Sequence, residues 1–114
     1  MINRLSICAA TALATLMVFH PQESWAEGRT GHNFLTWSKG TQDSFIDISV
    51  SMAGIVATQT KPSVARCIDD WYFASSAIRA QRNDEIRHSI RTHPEYDPAA
   101  VVYAFLKKVC GRFS

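Results

Sequence analysis

Residues 42–58, QDSFIDISVSMAGIVAT, determine the fold class of this 114-residue chain. Their apolar side chains recur at alternating steps of three and four residues, which is the spacing of one face of an α-helix. This stripe consists of Phe45, Ile48, Met52 and Ile55, with Ile46, Ala53 and Val56 alongside. Thr41 is a favourable N-cap, and Asp43 suits the positive end of the helix dipole. The sequence therefore predicts a helix over residues 42–58 that packs its apolar stripe against a core.

A second helix is predicted over residues 98–110, near the end of the sequence. Asp97 is a favourable N-cap, and Pro98 suits the first helical position, where its missing N–H would have no intrahelical partner. Two lysines in the last turn complement the negative end of the helix dipole, and Gly111 is a stop signal. The apolar stripe consists of Ala99, Val102, Leu106 and Val109.

The remaining segments add shorter or less regular elements. A short helix is predicted after Asn33 as its N-cap and ends at Gly40, whereas residues 59–64 are predicted to be a loop because Lys61-Pro62-Ser63 breaks the helical pattern. Residues 27–32 contain two glycines and no apolar side chain, so we expect a flexible start. No segment shows the sustained alternation of a strand. The expected fold is an all-α, single-domain bundle of three to four helices.

Residues 74–92 carry more charge than the other predicted helices. Their buried face consists of Ile78, Ile86 and Ile90. Arg82 falls on this face, so either its side chain extends to solvent or the helix breaks near Asn83, which could cap a second segment. The basic residues Arg79, Arg87 and Arg91 are predicted to form a solvated face, because two acidic residues at 84 and 85 interrupt them.

Residues 1–26 have the pattern of a secretory signal peptide. Arg4 is followed by a nearly continuous apolar run over residues 5–19, and Ser24-Trp25-Ala26 resembles a cleavage site. The run of about fifteen residues is shorter than the stretch that a membrane-spanning helix needs, so we expect no stable anchor. The expected product is a periplasmic protein that is exported through the Sec pathway and comprises residues 27–114. Its net charge stays near +2 without Arg4 and Glu23, which suggests no dedicated nucleic-acid surface.

Two cysteines, Cys67 and Cys110, remain after cleavage, because Cys8 lies within the apolar run. An even cysteine count in an oxidising compartment predicts a disulfide. Because it would close a loop of 43 residues, it would stabilise the fold by about 4 kcal/mol. The alternatives are a metal-binding thiolate pair or a free thiol. No C-x-x-C motif or nearby histidine pair completes a zinc site, so the disulfide is favoured.

Residues 67–73, CIDDWYF, place two acidic residues directly before three aromatic ones. One interpretation is structural: a loop or first helical turn with Asp69 or Asp70 as its N-cap and the aromatic rings partly buried. The other is a recognition patch, because aromatic side chains beside charges are typical anchors of protein interfaces. The two interpretations are compatible. The candidate residues for binding a partner protein are therefore Asp69, Asp70, Trp71 and Tyr72.

The exported part of the sequence offers little for catalysis. Of its three histidines, His32, His88 and His93, none is spaced four residues from another or lies in H-E-x-x-H. A disulfide would remove Cys67 as a nucleophile, and the adjacent acidic pairs point in different directions on a helix. The sequence contains no G-x-S-x-G, P-loop or dinucleotide-binding motif. We expect no enzyme, no cofactor and no metal site.

The order of these landmarks resembles the Rap/Tai family of immunity proteins. The resemblance covers most of residues 34–110. It rests on Phe34-Leu35-x-Trp37, Gln42-x-x-Phe45-Ile46, Ala53-Gly54, Cys67-Ile68, Ile86 to His93-Pro94-Glu95, and Pro98-Ala99-Ala100-Val101-Val102. It implies a small helical periplasmic protein that binds a peptidoglycan amidase delivered by a type VI secretion system and blocks its cleft sterically.

Two other functions fit the same compartment and fold class. A periplasmic acid-stress chaperone of the HdeA/HdeB type is also small, helical, exported and single-disulfide. An exported helical adaptor is the third candidate. The expected partner is a protein, and homodimer formation is left open.

Overall fold

The computed structural model describes residues 29–114, and all regular structure within them is helical. The helices are α1 (Gly31–Phe34), α2 (Lys39–Thr60), α3 (Pro62–Tyr72), α4 (Ser76–Thr92) and α5 (Pro98–Cys110). The all-α fold is confirmed, with one helix more than the expected three to four because residues 62–72 are helical. The predicted signal peptide and the predicted start at Glu27 lie outside the described residues.

The helix boundaries follow local capping chemistry. Asp97 accepts a hydrogen bond from the Ala99 amide (2.8 Å), so α5 begins and ends as predicted. The N-cap of α2 is Ser38 rather than Thr41, because the Ser38 hydroxyl accepts from the Thr41 amide (3.2 Å). Gly40 therefore lies inside the first turn of α2 and does not end the preceding helix.

The predicted loop over residues 59–64 was wrong. Helix α2 continues to Thr60, and only Lys61 separates it from Pro62 at the first position of α3. Proline is compatible with the first turn of a helix, so it redirects the chain here without requiring a longer loop. Residues 67–73 accordingly lie at the end of a helix rather than in a loop or first turn, and neither Asp69 nor Asp70 is an N-cap.

The described start of the chain, residues 29–32, is ordered by contacts with the α4–α5 loop. The Gly31 amide donates to the Tyr96 carbonyl (2.8 Å), and the His32 amide donates to the Pro94 carbonyl (2.9 Å). A Cβ atom on Gly31 would lie 2.7 Å from the Pro94 Cα, so the close approach requires glycine. The prediction of a flexible start was wrong for these residues. The predicted Asn33 cap was also wrong, since Thr30 caps α1.

Helix α4 is continuous, so the alternative of a break near Asn83 is excluded. The Arg82 guanidinium donates to the Trp71 carbonyl (2.9 Å) and lies over the Trp71 ring at 4.7 Å. Asn83 is buried and accepts a hydrogen bond from the Tyr72 hydroxyl (2.6 Å). Both side chains on this face are therefore used to join α4 to the end of α3.

The predicted solvated face of α4 was wrong for Arg87, which is only 6% exposed. Its guanidinium donates to Gln42 Oε1 (2.7 Å) and forms ion pairs with Asp43 and Asp84. The Gln42 amide donates in turn to the carbonyls of Phe34 and Trp37. This network joins α1, α2 and α4, and it explains how a guanidinium can be buried, since charges are buried only when they are paired.

The core lies where the four longer helices meet, closed at one end by α1. Its members are Phe34, Ile46, Val50, Ala57, Val64, Ile68, Tyr72, Ile86, Ile90, Val101, Val102, Leu106 and Phe113. Each fully buried large side chain contributes about 1.5–3 kcal/mol relative to exposure. The Cys67–Cys110 disulfide is confirmed and joins α3 to the end of α5. Gly111 then adopts φ 96°, which turns the chain so that Phe113 reaches the core.

Candidate protein-interaction surface

The outward face of α2 is apolar and exposed. Ile48, Met52, Ile55 and Val56 are 62%, 55%, 59% and 50% exposed, respectively. We call these four residues the α2 surface. Three of them belong to the stripe that the sequence analysis assigned to core packing, and that assignment was wrong. Exposed apolar patches of this kind are characteristic of interaction sites.

The reason for the error lies in the composition of α2. The core-facing side chains Ile46 and Val50 each precede an exposed apolar residue by two positions, which is about 200° around a helix. Residues 48–60 contain no charged side chain, so this half of α2 is uncharged around its whole circumference. Apolar side chains on both the inner and the outer face of a helix form a wider apolar arc than one core-facing stripe requires. The outer face of α2 is thus apolar although it faces solvent.

A groove of about 360 Å³ borders the α2 surface on the α5 side. Ile48 and Met52 form one wall, and Tyr103 and Ala99 of α5 form the other. Phe45 lies in this groove, where its ring also packs against Phe34 and Trp37 at 5.7 Å each. The aromatic contacts hold Phe45 in place, so one wall of the groove rests on a packed cluster.

A second groove, of about 370 Å³, borders the α2 surface on the α3 side. Ile55 lies on its α2 wall, and Ala65, Asp69 and Phe73 lie on the opposite side. Arg66 also lines it, so the rim carries one acidic and one basic side chain. A polar rim around an apolar centre is the usual composition of a protein interface.

The structure divides the four predicted binding residues among different environments. Asp69 and Asp70 are exposed, but only Asp69 lines the groove beside α2. Trp71 is half-buried between Arg82 and Phe105, with its ring 5.6 Å from the Phe105 ring. Tyr72 is fully buried, so the prediction that it belongs to an exposed patch was wrong. Successive helical residues point about 100° apart, which explains why neighbours differ so much.

Burial also changes the chemistry of Tyr72. Removal from water, followed by the nearby Asp47 carboxylate, raises the pKa of the Tyr72 hydroxyl well above its usual value. The neutral hydroxyl donates to Asn83, so Tyr72 is a structural hydrogen-bond donor. One Asp47 carboxylate oxygen beside it is buried without a hydrogen-bond partner. This polar cluster positions the end of α3, which carries Asp69.

The three histidines of the described residues are dispersed. His32, His88 and His93 are exposed on α1, on α4 and just after α4, respectively. Within residues 29–114, no group of three histidine, cysteine or acidic side chains could hold a metal ion. None of the helices described is both long enough and apolar enough to cross a membrane.

Comparisons of this chain with protein-family models, curated proteins and solved structures found no match. The candidate site therefore rests on its own geometry. Of the four predicted binding residues, Asp69 lines the groove beside α2, and none belongs to the α2 surface. The signal that could have revealed it is the uncharged run over residues 48–60, which is wider than one core-facing stripe requires.

Proposed function

We propose that this protein is a periplasmic immunity protein that binds a type VI secretion peptidoglycan amidase and blocks its cleft. The α2 surface is the observation that carries the proposal, because an exposed apolar surface with a polar rim is the usual composition of a protein interface. The resemblance of the sequence to Rap/Tai proteins supplies the class of partner.

The mechanism we propose is steric. Ile48, Met52 and Ile55 of the α2 surface would enter the amidase cleft and exclude the peptidoglycan substrate. This requires no reactive group from the inhibitor. It does require a rigid surface, because ordering a flexible segment on binding would reduce affinity. The packing of α2 against α3 and α5, together with the disulfide between those two helices, supports such rigidity.

Substitution of the α2 surface tests the proposal by calorimetric titration with any peptidoglycan amidase that is encoded beside this gene. We expect Met52→Asp and Ile55→Asp to lower the affinity by about 30-fold or more, as loss of a central apolar anchor costs roughly 2 kcal/mol. Both side chains are more than half exposed, so the thermal midpoint should change little. Val109→Asp is the matched control, since Val109 is exposed on α5 and lines neither groove.

Two outcomes would contradict different parts of this proposal. Unchanged affinity in the folded Met52→Asp and Ile55→Asp variants would exclude the α2 surface from the interface. Failure of the wild-type protein to bind or inhibit the neighbouring amidase would refute the immunity function itself. Asp69→Ala, at the rim, should have a smaller effect that diminishes further at high salt.

The α2 surface also favours a second function, that of an acid-stress chaperone. Apolar surface of this kind could bind the exposed apolar segments of unfolding proteins. A chaperone would suppress aggregation of unrelated periplasmic proteins at acidic pH, and Met52→Asp would weaken that suppression. An immunity protein would inhibit one amidase at neutral pH and leave aggregation unchanged.

A further inference from the structure

A groove between α4 and α5 lies on the side of α5 away from the α2 surface. Its volume is about 420 Å³, which falls within the range of small-molecule sites. Ala100 and Ala104 lie one helical turn apart along it, and their small side chains leave space between the helices. Val101 and Phe105 add apolar lining. We call this cavity the α4–α5 groove.

Polar groups lie at the two ends of the groove. At the loop end, the His93 ring stacks on Tyr96 with centroids 6.1 Å apart. His93 Nδ1 lies 3.0 Å from the Ser89 carbonyl oxygen and 3.1 Å from the Thr92 hydroxyl oxygen. At the other end, toward the C-terminus of α5, lies Lys108.

The charge of the groove comes from Lys108. No acidic side chain lines the cavity, and among residues 29–114 the Lys108 ammonium forms no salt bridge within 4.0 Å. The neighbouring Lys107 differs, because its ammonium lies 5.4 Å from the centre of the Tyr103 ring on the α2 side of α5. The groove thus combines an apolar body with one cationic end.

We propose that the α4–α5 groove binds a single-chain anionic amphiphile of the medium-chain fatty acid class. The alkyl chain would lie over Ala100 and Ala104 against Phe105, and the carboxylate would pair with Lys108. From Ala100 to Lys108, α5 rises about 12 Å, which gives the ligand an elongated apolar path to the cation. Complementarity of charge at one end and of apolar surface along the rest favours this class over a fully polar anion.

Decanoate, well below its critical micelle concentration, is the probe, and the oxidised protein is the receptor. We expect saturable binding of one decanoate per chain in calorimetric titration. Amide NMR shifts should cluster at Ala100, Ala104 and Lys108. Trp71 fluorescence should change as well, because the Trp71 ring lies 5.6 Å from the Phe105 ring, which lines the groove.

Paired variants separate the contribution of charge from that of apolar contact. Lys108→Gln should weaken decanoate binding about two- to five-fold, as loss of an exposed ion pair does, and should leave binding of uncharged decanol unchanged. Lys107→Gln is the matched control and should change the affinity for neither decanoate nor decanol. Ala104→Phe should abolish binding of both probes by filling the groove, whereas Ala80→Phe, on an exposed part of α4, should not.

The proposal is overturned if decanoate does not bind saturably, or if its NMR shifts cluster at Met52 and Ile55. It is also overturned if Lys107→Gln weakens binding as much as Lys108→Gln, since net charge alone would then explain it. If Ala104→Phe fails to fold, the proposal is still tested by the Lys108→Gln variant. Equal weakening of decanoate and decanol binding in that variant would exclude a carboxylate–Lys108 pair. None of these measurements uses an amidase, so the result is independent of the immunity function.

Discussion

Arg87 of α4 is the centre of a hydrogen-bond network that joins three helices. Its contacts with Asp43 and Gln42 reach α2, and Gln42 extends the network to the carbonyls of Phe34 and Trp37 at the α1 end. Truncation of Arg87 would leave Gln42 Oε1 and the Asp43 carboxylate without the guanidinium donor. A buried cation of this kind contributes to stability mainly through the cost of removing one partner.

We therefore expect Arg87→Ala to lower the free energy of unfolding by about 3 kcal/mol. Arg91→Ala is the matched control, because Arg91 lies one turn later on α4 and is exposed; its effect should stay within about 0.5 kcal/mol. Urea unfolding of both variants measures the difference. Equal effects of the two substitutions would contradict a structural role for the Arg87 network.

Gly31 provides a second test at the level of one residue. Gly31→Ala should destabilise the fold by about 1–3 kcal/mol, since its Cβ would collide with the Pro94 backbone and separate α1 from the α4–α5 loop. Gly40→Ala should have the opposite sign and stabilise by up to about 0.5–1 kcal/mol, because nothing lies within 4 Å of its added Cβ and alanine favours the helix. Thermal melts compare the two. A Gly31→Ala protein as stable as the wild type would contradict the close-approach argument.

Among the elements, α3 and α5 are joined covalently. Replacing both Cys67 and Cys110 with serine removes the link without leaving a free thiol. The closed loop spans 43 residues, so the double variant should lose about 4 kcal/mol of stability through the added entropy of its unfolded chain. Urea unfolding with and without reductant checks this. Reductant should destabilise the wild type and leave the double variant unchanged, and an effect on both would point to another cause.

The elements also differ in how well local sequence defines them. Asp97, Pro98 and Gly111 give the limits of α5 because capping depends on adjacent residues alone. The sequence could not identify the inward face of α2 in the same way, because apolar side chains lie on both its inner and its outer face. Its orientation depends on contacts that are distant in sequence, such as the hydrogen bond from Arg87 to Gln42.

The same distinction applies to the candidate site. Residue types singled out the aromatic and acidic segment over residues 67–73, which was predicted as a loop or first helical turn and lies instead at the end of α3. Asp69 of this segment lines the groove beside α2. Whether Trp71 and Tyr72 are accessible depends on Phe105, Arg82 and Asn83, which lie at least eleven residues away. Composition therefore indicated the segment, and packing determines which of its side chains are exposed to solvent.

At the scale of the whole molecule, stability should depend on alkaline pH through Tyr72. Burial and Asp47 raise the pKa of Tyr72 in the folded state, whereas the unfolded chain retains the ordinary value of 10.0. Above about pH 10 the unfolded state therefore binds fewer protons than the folded state, and the free energy of unfolding falls as pH rises. Below that pH this contribution is fully present.

Tyr72→Phe should reduce this alkaline loss of stability, and urea unfolding from neutral pH to about pH 11 measures it. At neutral pH the variant should be less stable by about 1 kcal/mol, because the buried side-chain oxygen Oδ1 of Asn83 loses its donor. Tyr103→Phe is the control, since Tyr103 is partly exposed. An identical alkaline decline in the wild type and in Tyr72→Phe would show that other groups cause it.

The link between Cys67 and Cys110 also determines how the molecule bears mechanical load. A pull on the two ends of the oxidised chain passes through the sulfur atoms, so α4 and α5 lie off the path of tension. The bypassed segment shortens the extensible length by about 150 Å. A machine that unfolds proteins by threading would meet two strands of chain side by side at Cys67. Oxidation therefore removes the segment between the two cysteines from the path of an applied force, independently of the equilibrium stability.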